Sequence, residues 1–168
     1  MPTTAPRAKE HQERWQEIVA DPTLRELPYK VETNKRGQII LSPHRSAHSY
    51  AQGDIIELLS EHGEEGRPFP EFPITTKAGI RVPDVVWVSS ARRTEMDQAG
   101  DPPTLAPEVC IEVMSEHNDW DEMREKRELF LEAGAEEVWV VTEDGEVRFF
   151  AEEEIAESEI VPEFPDHL

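Results

Sequence analysis

Apolar positions along this chain fall into short runs whose spacing alternates between the helical and the extended period. Residues 9–19 place Trp15, Ile18 and Val19 on one side of a short helix. "YKVETNKRGQIILSP" reads as a hairpin. Its first strand lies near 29–34, "NKRG" is the turn, with Gly37 available for a left-handed position, and "QIILS" is the partner, ended by Pro43. Residues 46–60 return to helical spacing, with His48, Gln52, Ile55 and Leu59 close to one face. "PFPEFPITT" is extended, and its prolines suggest an edge or irregular strand. After the turn "AG", "IRVPDVVWVSS" reads as one strand that completes a hairpin around residues 72–89.

Residues 91–105 read as a polar loop. "PEVCIEVMS" is apolar on both faces, as a central strand must be. Asn118 or Asp119 is placed to cap a helix that runs to about residue 133 and stops at Gly134. Two strands follow across the turn "EDG", and residues 159–162 suggest a last short one. Mixed hairpins with two sizeable helices define an α/β or α+β class. No repeat or linker divides the chain. It reads as an N-terminal extension with a short helix over residues 1–28, frayed over 1–8, then a single domain over 29–168.

Composition matters chiefly through charge. The 168 residues hold 37 acids against 17 bases, a formal charge of −20. Such a chain does not hold DNA by a broad basic surface, but an enzyme that touches nucleic acid locally through a metal remains open. Residues 152–168 carry seven acids and no Lys or Arg, and would repel phosphate if they lay near an active face. The single cysteine, Cys110, excludes an internal disulfide and reads as a small buried hydrophobe in a reducing compartment. No segment approaches the ~18 apolar residues of a membrane span, and the N-terminus lacks the apolar core of a signal peptide. The expectation is a cytoplasmic protein without a membrane partner.

Two acids stand out against this pattern. In "RVPDVVWV" the extended period puts Asp84 on one face with Val82, Val86 and Val88. Either that strand end is wet or something cationic sits against it. Glu112 shares a face with Cys110 and Met114 in a strand apolar on both sides, so it needs a partner, and a buried Lys or Arg would serve. Carboxylates from neighbouring strands also present hard oxygen ligands to Mg²⁺ or Mn²⁺, with water and substrate phosphate completing the coordination. Such an ion activates water and stabilises charge on a phosphodiester.

A cation near that site has one candidate on the following helix. Met123, Lys126, Phe130 and Ala133 recur at spacings of three and four, which puts Lys126 on the apolar face while Arg124 and Arg127 point elsewhere. Lys126 either snorkels to the edge or pairs with Glu112. Glu32, at the end of the first strand, reads as a surface residue, and His48 as a core histidine or a group that orients water. His44 and His117 fall in loops, and no tight His/Cys cluster suggests zinc.

These residues together resemble the Uma2 family, which has the restriction-endonuclease-like fold of the PD-(D/E)XK superfamily. The resemblance spans roughly residues 29–165. It is carried by "YKVETNKRGQIILSP", His48, "IRVPDVVWVS", "PEVCIEVMSEHND", "KRELFLEAGAEEVWVV" and "ESEIVPEF" in that order. It implies an α/β restriction-endonuclease-like core with flanking helices. Pro83 and Asp84 match the "PD" of the motif, and Glu112 matches its second acid, so both are implied metal ligands. The usual lysine two places beyond is Met114, and the resemblance implies Lys126 in its stead. Glu32 matches the acid of the family's first hairpin and His48 the histidine of its first long helix.

The chain departs from the pattern at Glu116, where a proline is usual, and at Phe130, where a tyrosine is common. The implied function is a Mg²⁺- or Mn²⁺-dependent endonuclease acting on DNA, assembled as a homodimer. The other reading is a non-catalytic member that uses its acidic surface to bind a basic protein. The −20 charge favours the second, and the ordered acids with the inward lysine favour the first.

Overall fold

The computed structural model describes residues 7–168. The start of the expected frayed segment, residues 1–6, lies outside the described residues. Helix α1 spans Ala8–Ala20 and a single turn α2 spans Pro22–Arg25; strands β1 (Tyr29–Thr33) and β2 (Ile39–Pro43) then form the first hairpin. Helix α3 is Ser46–His62, followed by β3 (Gly66–Pro70), β4 (Ile74–Thr76), β5 (Gly79–Arg81) and β6 (Val85–Ser89). Then come α4 (Ser90–Asp97), β7 (Val109–Val113), α5 (Trp120–Glu132), β8 (Glu137–Val141), β9 (Val147–Phe150) and β10 (Glu154–Ile155).

A six-stranded mixed sheet, ordered β10-β9-β8-β7-β6-β3, organises the fold. Strands β7 and β8 are parallel and the other pairs antiparallel. The parallel pair requires a crossover, and α5 supplies it. One face of the sheet buries Val85, Ile111 and Trp139 against Ile55 and Leu59 of α3 and Val161 and Phe164 of the tail. The other buries Val86, Cys110 and Val138 against Phe130 and Ala133 of α5. Strand β7 is thus covered on both sides, as its uninterrupted apolar sequence requires. Strand β3 is the proline-bearing edge.

Four expectations are corrected. The run at residues 80–90 is not one strand, although the hairpin expected around residues 72–89 does form, with β4 folding back on β5 and β3 on β6 in a single register. The run breaks at residues 82–84, where β5 pairs with β4 in a separate small sheet and β6 joins the large one. Pro83 has no amide to give a ladder, and both polar backbone groups of Val82 bind side chains of β1: its amide donates to Glu32 Oε2 at 2.7 Å and its carbonyl accepts from Lys30 Nζ at 3.0 Å. Residues 91–97 of the expected loop are helical as part of α4, because Ser89 caps the helix through the Arg92 amide and Met96 anchors it beside Val88 and Leu105. The last strand lies at Glu154–Ile155, not 159–162. There the chain wraps the Glu137 carboxylate, which accepts from the Glu159 and Ile160 amides. Val19 is exposed, so the apolar side of α1 is Trp15 and Ile18, packed against Ile80 and Val82, with His11 also buried.

Candidate functional site

The broken segment before β6, the end of β7 and the first hairpin converge on one cluster of charges. Asp84 is buried, and its two oxygens are divided between neighbours. Oδ1 accepts from Lys30 Nζ at 3.0 Å and faces His48 Nε2 at 3.0 Å, while Oδ2 accepts from the Val113 amide at 2.8 Å. Glu112, on the adjacent strand, is equally buried. Its Oε2 lies 3.4 Å from Lys126 Nζ and 3.7 Å from Lys30 Nζ. Lys126 Nζ in turn lies 3.8 Å from Glu32 Oε1. Acids and lysines therefore alternate, from Glu32 through Lys126, Glu112 and Lys30 to Asp84.

The expected Glu112–Lys126 contact is present, and it exists because α5 lays Met123, Phe130 and Ala133 on the sheet and carries Lys126 in with them. His48 and Gln52 come from successive turns of α3. Gln52 donates to the Asp84 carbonyl at 2.9 Å, so the helix holds both ends of that aspartate. Glu32 is not on the surface: it is 1% exposed. The β1–β2 hairpin packs across β5, and the Glu32 carboxylate supplies the acceptor that the Val82 amide lost when the strand broke.

Lys30 was not among the candidates. Its signal was available, since Lys30 and Glu32 are two apart in a short strand and share a face. Arg45, at the start of α3, was also missed. It lies 2.9 Å from Glu116 Oε1 and 3.0 Å from His117 Nε2, so the charge that Glu116 adds near the site is paired.

Burial and charge act on each group differently. Burial opposes ionisation of Asp84, yet the Lys30 charge, the His48 hydrogen bond and the Val113 amide together hold its carboxyl well below the usual range. Burial is also the main influence on Glu112 and prevails there. With Asp84 and Glu32 adding negative charge, its pKa is pushed up to about 7 despite Lys126 and Lys30. The hydrogen bond to Asp84 raises His48. Both lysines are raised, because the surrounding carboxylates outweigh the burial that would otherwise neutralise them. Burial, with Glu112 nearby, pushes the Cys110 thiol well up, so it is an inert core group.

The cluster forms the floor of a cleft of about 160 Å³. The β2–α3 corner contributes His44 and Arg45 to its wall, and the β7–α5 loop contributes Ser115, His117 and Asn118. Among the described residues, no group of three or more His, Cys, Asp or Glu side chains is arranged as a metal cage. The donors that could hold a hard cation are Asp84 and Glu112. Glu112 Oε1 is buried and has no hydrogen-bond partner among the described residues, a costly state that a cation or its water would relieve. By that test the pair fits an ion that brings most of its coordination with it.

A mixed sheet crossed by one helix, with acids and lysines buried at the strand ends under a cleft, defines a protein related to the PD-(D/E)XK nucleases. The model of the Uma2 family, described as "Putative restriction endonuclease", matches residues 13–166, and the chain belongs to that family. Among solved structures, it is similar to one titled "a putative nuclease belonging to DUF820" from Anabaena variabilis ATCC 29413. The two share 19% sequence identity with a TM-score of 0.59, over 72% of this chain and 71% of the other. At that identity the likeness speaks for the fold. No curated protein matches the chain. Among the described residues, no helix is long and apolar enough to cross a membrane.

Proposed function

We propose that this protein is a metal-dependent endonuclease that hydrolyses DNA phosphodiester bonds, with Mg²⁺ or Mn²⁺ held by Asp84 and Glu112. The observation that carries the reading is the buried pair of carboxylates, one on β7 and one at the entry to the adjacent β6, flanked by two lysines and open to a cleft, with one Glu112 oxygen left without a partner among the described residues. When bound, the ion supplies a Lewis acid for the phosphoryl oxygens and lowers the pKa of water. Asp84, kept ionised by its neighbours, is the stronger donor. Lys126 sets a positive charge at the cleft wall where phosphate charge develops. His48 orients Asp84 through Oδ1. Glu32 faces Lys126 from below the cleft and acts as a positioning residue for it. Assembly as a homodimer belongs to the same proposal and is read by sedimentation.

The −20 charge favours a second reading, in which the fold is kept without catalysis and the acidic surface binds a basic protein. One assay separates the two. Plasmid and single-stranded DNA are incubated with the purified protein in Mg²⁺ or Mn²⁺, alongside Asp84→Ala and Glu112→Ala. Cleavage by the wild type that both substitutions abolish is the expected result. No cleavage with either metal, or cleavage that survives both substitutions, overturns the catalytic reading.

A further inference from the structure

The place between the two carboxylates is taken by a side chain. Lys30 Nζ lies 3.0 Å from Asp84 Oδ1 and 3.7 Å from Glu112 Oε2, and donates to the Val82 carbonyl at 3.0 Å. Two donors of the ammonium are thus used in hydrogen bonds, and Glu112 faces it as a longer ion pair. Among the described residues Lys30 is the one side chain that contacts both carboxylates. Lys126 reaches Glu112 and Glu32, and His48 reaches Asp84.

The position is built to hold it. Lys30 leaves β1 on the same face as Glu32, its side chain is 9% exposed, and the Val82 carbonyl is free to accept because Pro83 breaks the strand there. Two buried carboxylates without a counter-charge would be strongly destabilising, so the metal-free fold needs a cation at this point. A divalent ion bonded to the same oxygens at about 2.1 Å would face the ammonium across a few ångströms of low-dielectric interior, where like charges repel strongly.

We propose that Lys30 is a tethered stand-in for the divalent cation: its ammonium occupies the place between Asp84 and Glu112 and offsets part of their charge in the metal-free protein, and a metal ion enters by displacing it. The inference rests on the metal-binding reading above and adds an exchange step to it. Metal affinity is then set by the difference between two cations competing for one pair of oxygens. The displaced ammonium remains at the cleft, because Lys30 already lines it. Lys30 is thus a positioning residue before metal entry and a positive group beside the phosphate afterwards.

The test measures metal binding on the full chain, without substrate. Free Mn²⁺ is followed by electron paramagnetic resonance during titration of the wild type, Lys30→Met and Lys126→Met. Lys30→Met is expected to bind Mn²⁺ about tenfold or more tightly than wild type, the equivalent of one like charge removed from the site, with a smaller change in Lys126→Met. The ¹⁵N NMR signal of the Lys30 ammonium in the wild type provides a second readout if Lys30→Met folds poorly without metal. Saturating Mg²⁺ is expected to shift that signal away from its metal-free position. Equal or weaker binding by Lys30→Met, or a Lys30 signal unmoved at saturation, overturns this inference and leaves the metal site standing. Mn²⁺ bound by none of the three proteins overturns the metal site itself, and the inference with it.

Discussion

Replacing Glu112 with glutamine should make the metal-free protein gain stability relative to wild type as the pH rises. The reason is the environment of the carboxyl group. Burial, helped by the charges of Asp84 and Glu32, raises its pKa from the usual 4.5 to about 7 in the folded chain. The folded state therefore keeps a proton that the unfolded chain gives up. That contribution to stability is fully present below 4.5 and is lost as the pH climbs through about 7. At about 1.4 kcal/mol for each tenfold difference in proton affinity, the loss amounts to about 3 kcal/mol. Glutamine cannot ionise and escapes it. At low pH both side chains are neutral and nearly isosteric, so what Lys30 and Lys126 lose in the variant cancels from the comparison. The assay is urea unfolding in EDTA at about pH 5 and about pH 8, followed by the fluorescence of buried Trp87 and Trp139. The stability difference should move by about 3 kcal/mol in favour of Glu112→Gln between the two. A difference that stays constant, or moves the other way, refutes the account of Glu112 as a carboxylate short of counter-charge.

Other substitutions probe the surrounding supports. Asp84→Asn removes the charge that faces Lys30 and His48 and should cost about 3–5 kcal/mol in urea unfolding, as for a broken buried ion pair. In the same variant the His48 pKa should fall back toward its ordinary value, which proton NMR reads directly. Glu137→Ala strips the acceptor from Trp139 Nε1 at 2.8 Å, Ser158 Oγ at 2.7 Å and the Glu159 amide at 2.9 Å. It should cost about 3 kcal/mol and expose the chain beyond residue 158 to limited proteolysis. Gly79→Ala should destabilise by about 2 kcal/mol or more in urea. The glycine has φ +100°, and an added Cβ would stand 2.4 Å from the carbonyls of Thr33 and Asn34.

Local pattern revealed Glu112 and hid much of what surrounds it. A glutamate in a strand apolar on both faces is visible because nothing near it in sequence can satisfy it, and the α5 stripe offered Lys126 at a short distance along the chain. The break at Pro83 was harder to see. "IRVPDVVWV" keeps its apolar character across the break, and what ends the strand is the capture of both Val82 backbone groups by residues some fifty positions earlier. Glu32 was misread for the same reason. A two-stranded hairpin with exposed Tyr29 and Leu41 reads as a surface element until β5 packs across it. Helix α4 escaped notice because Met96 is its lone buried residue and its start depends on a serine cap. Residues 159–162 have strand-like composition, but the Glu159 and Ile160 amides are satisfied by a buried carboxylate and the Val161 amide by Ser158 Oγ, rather than by a neighbouring strand.

On the nuclease reading proposed above, a chain of charge −20 must keep its acids away from the point of contact with DNA, and the fold does this in part. The acidic tail starts at the β10 edge, where Glu154 pairs with Arg148, and then packs Val161 and Phe164 on the α3 side of the sheet, with Glu163 facing His62. Among the described residues, the tail supplies no lining to the cleft, and Leu168 alone reaches the groove beside it. The cleft presents three fixed cations, Lys30, Arg45 and Lys126, each already facing a carboxylate. Binding through so few phosphate contacts carries a definite signature, since each neutralised phosphate contributes about 0.7–0.9 to the slope of log affinity against log salt. At constant Mg²⁺, a fluorescence-anisotropy titration of Glu112→Gln with labelled DNA should give a slope no steeper than about 3. A slope of about 6 or more would require twice the basic surface that one cleft offers, and would place a second copy of the chain, with its own Lys30, Arg45 and Lys126, on the same nucleic acid.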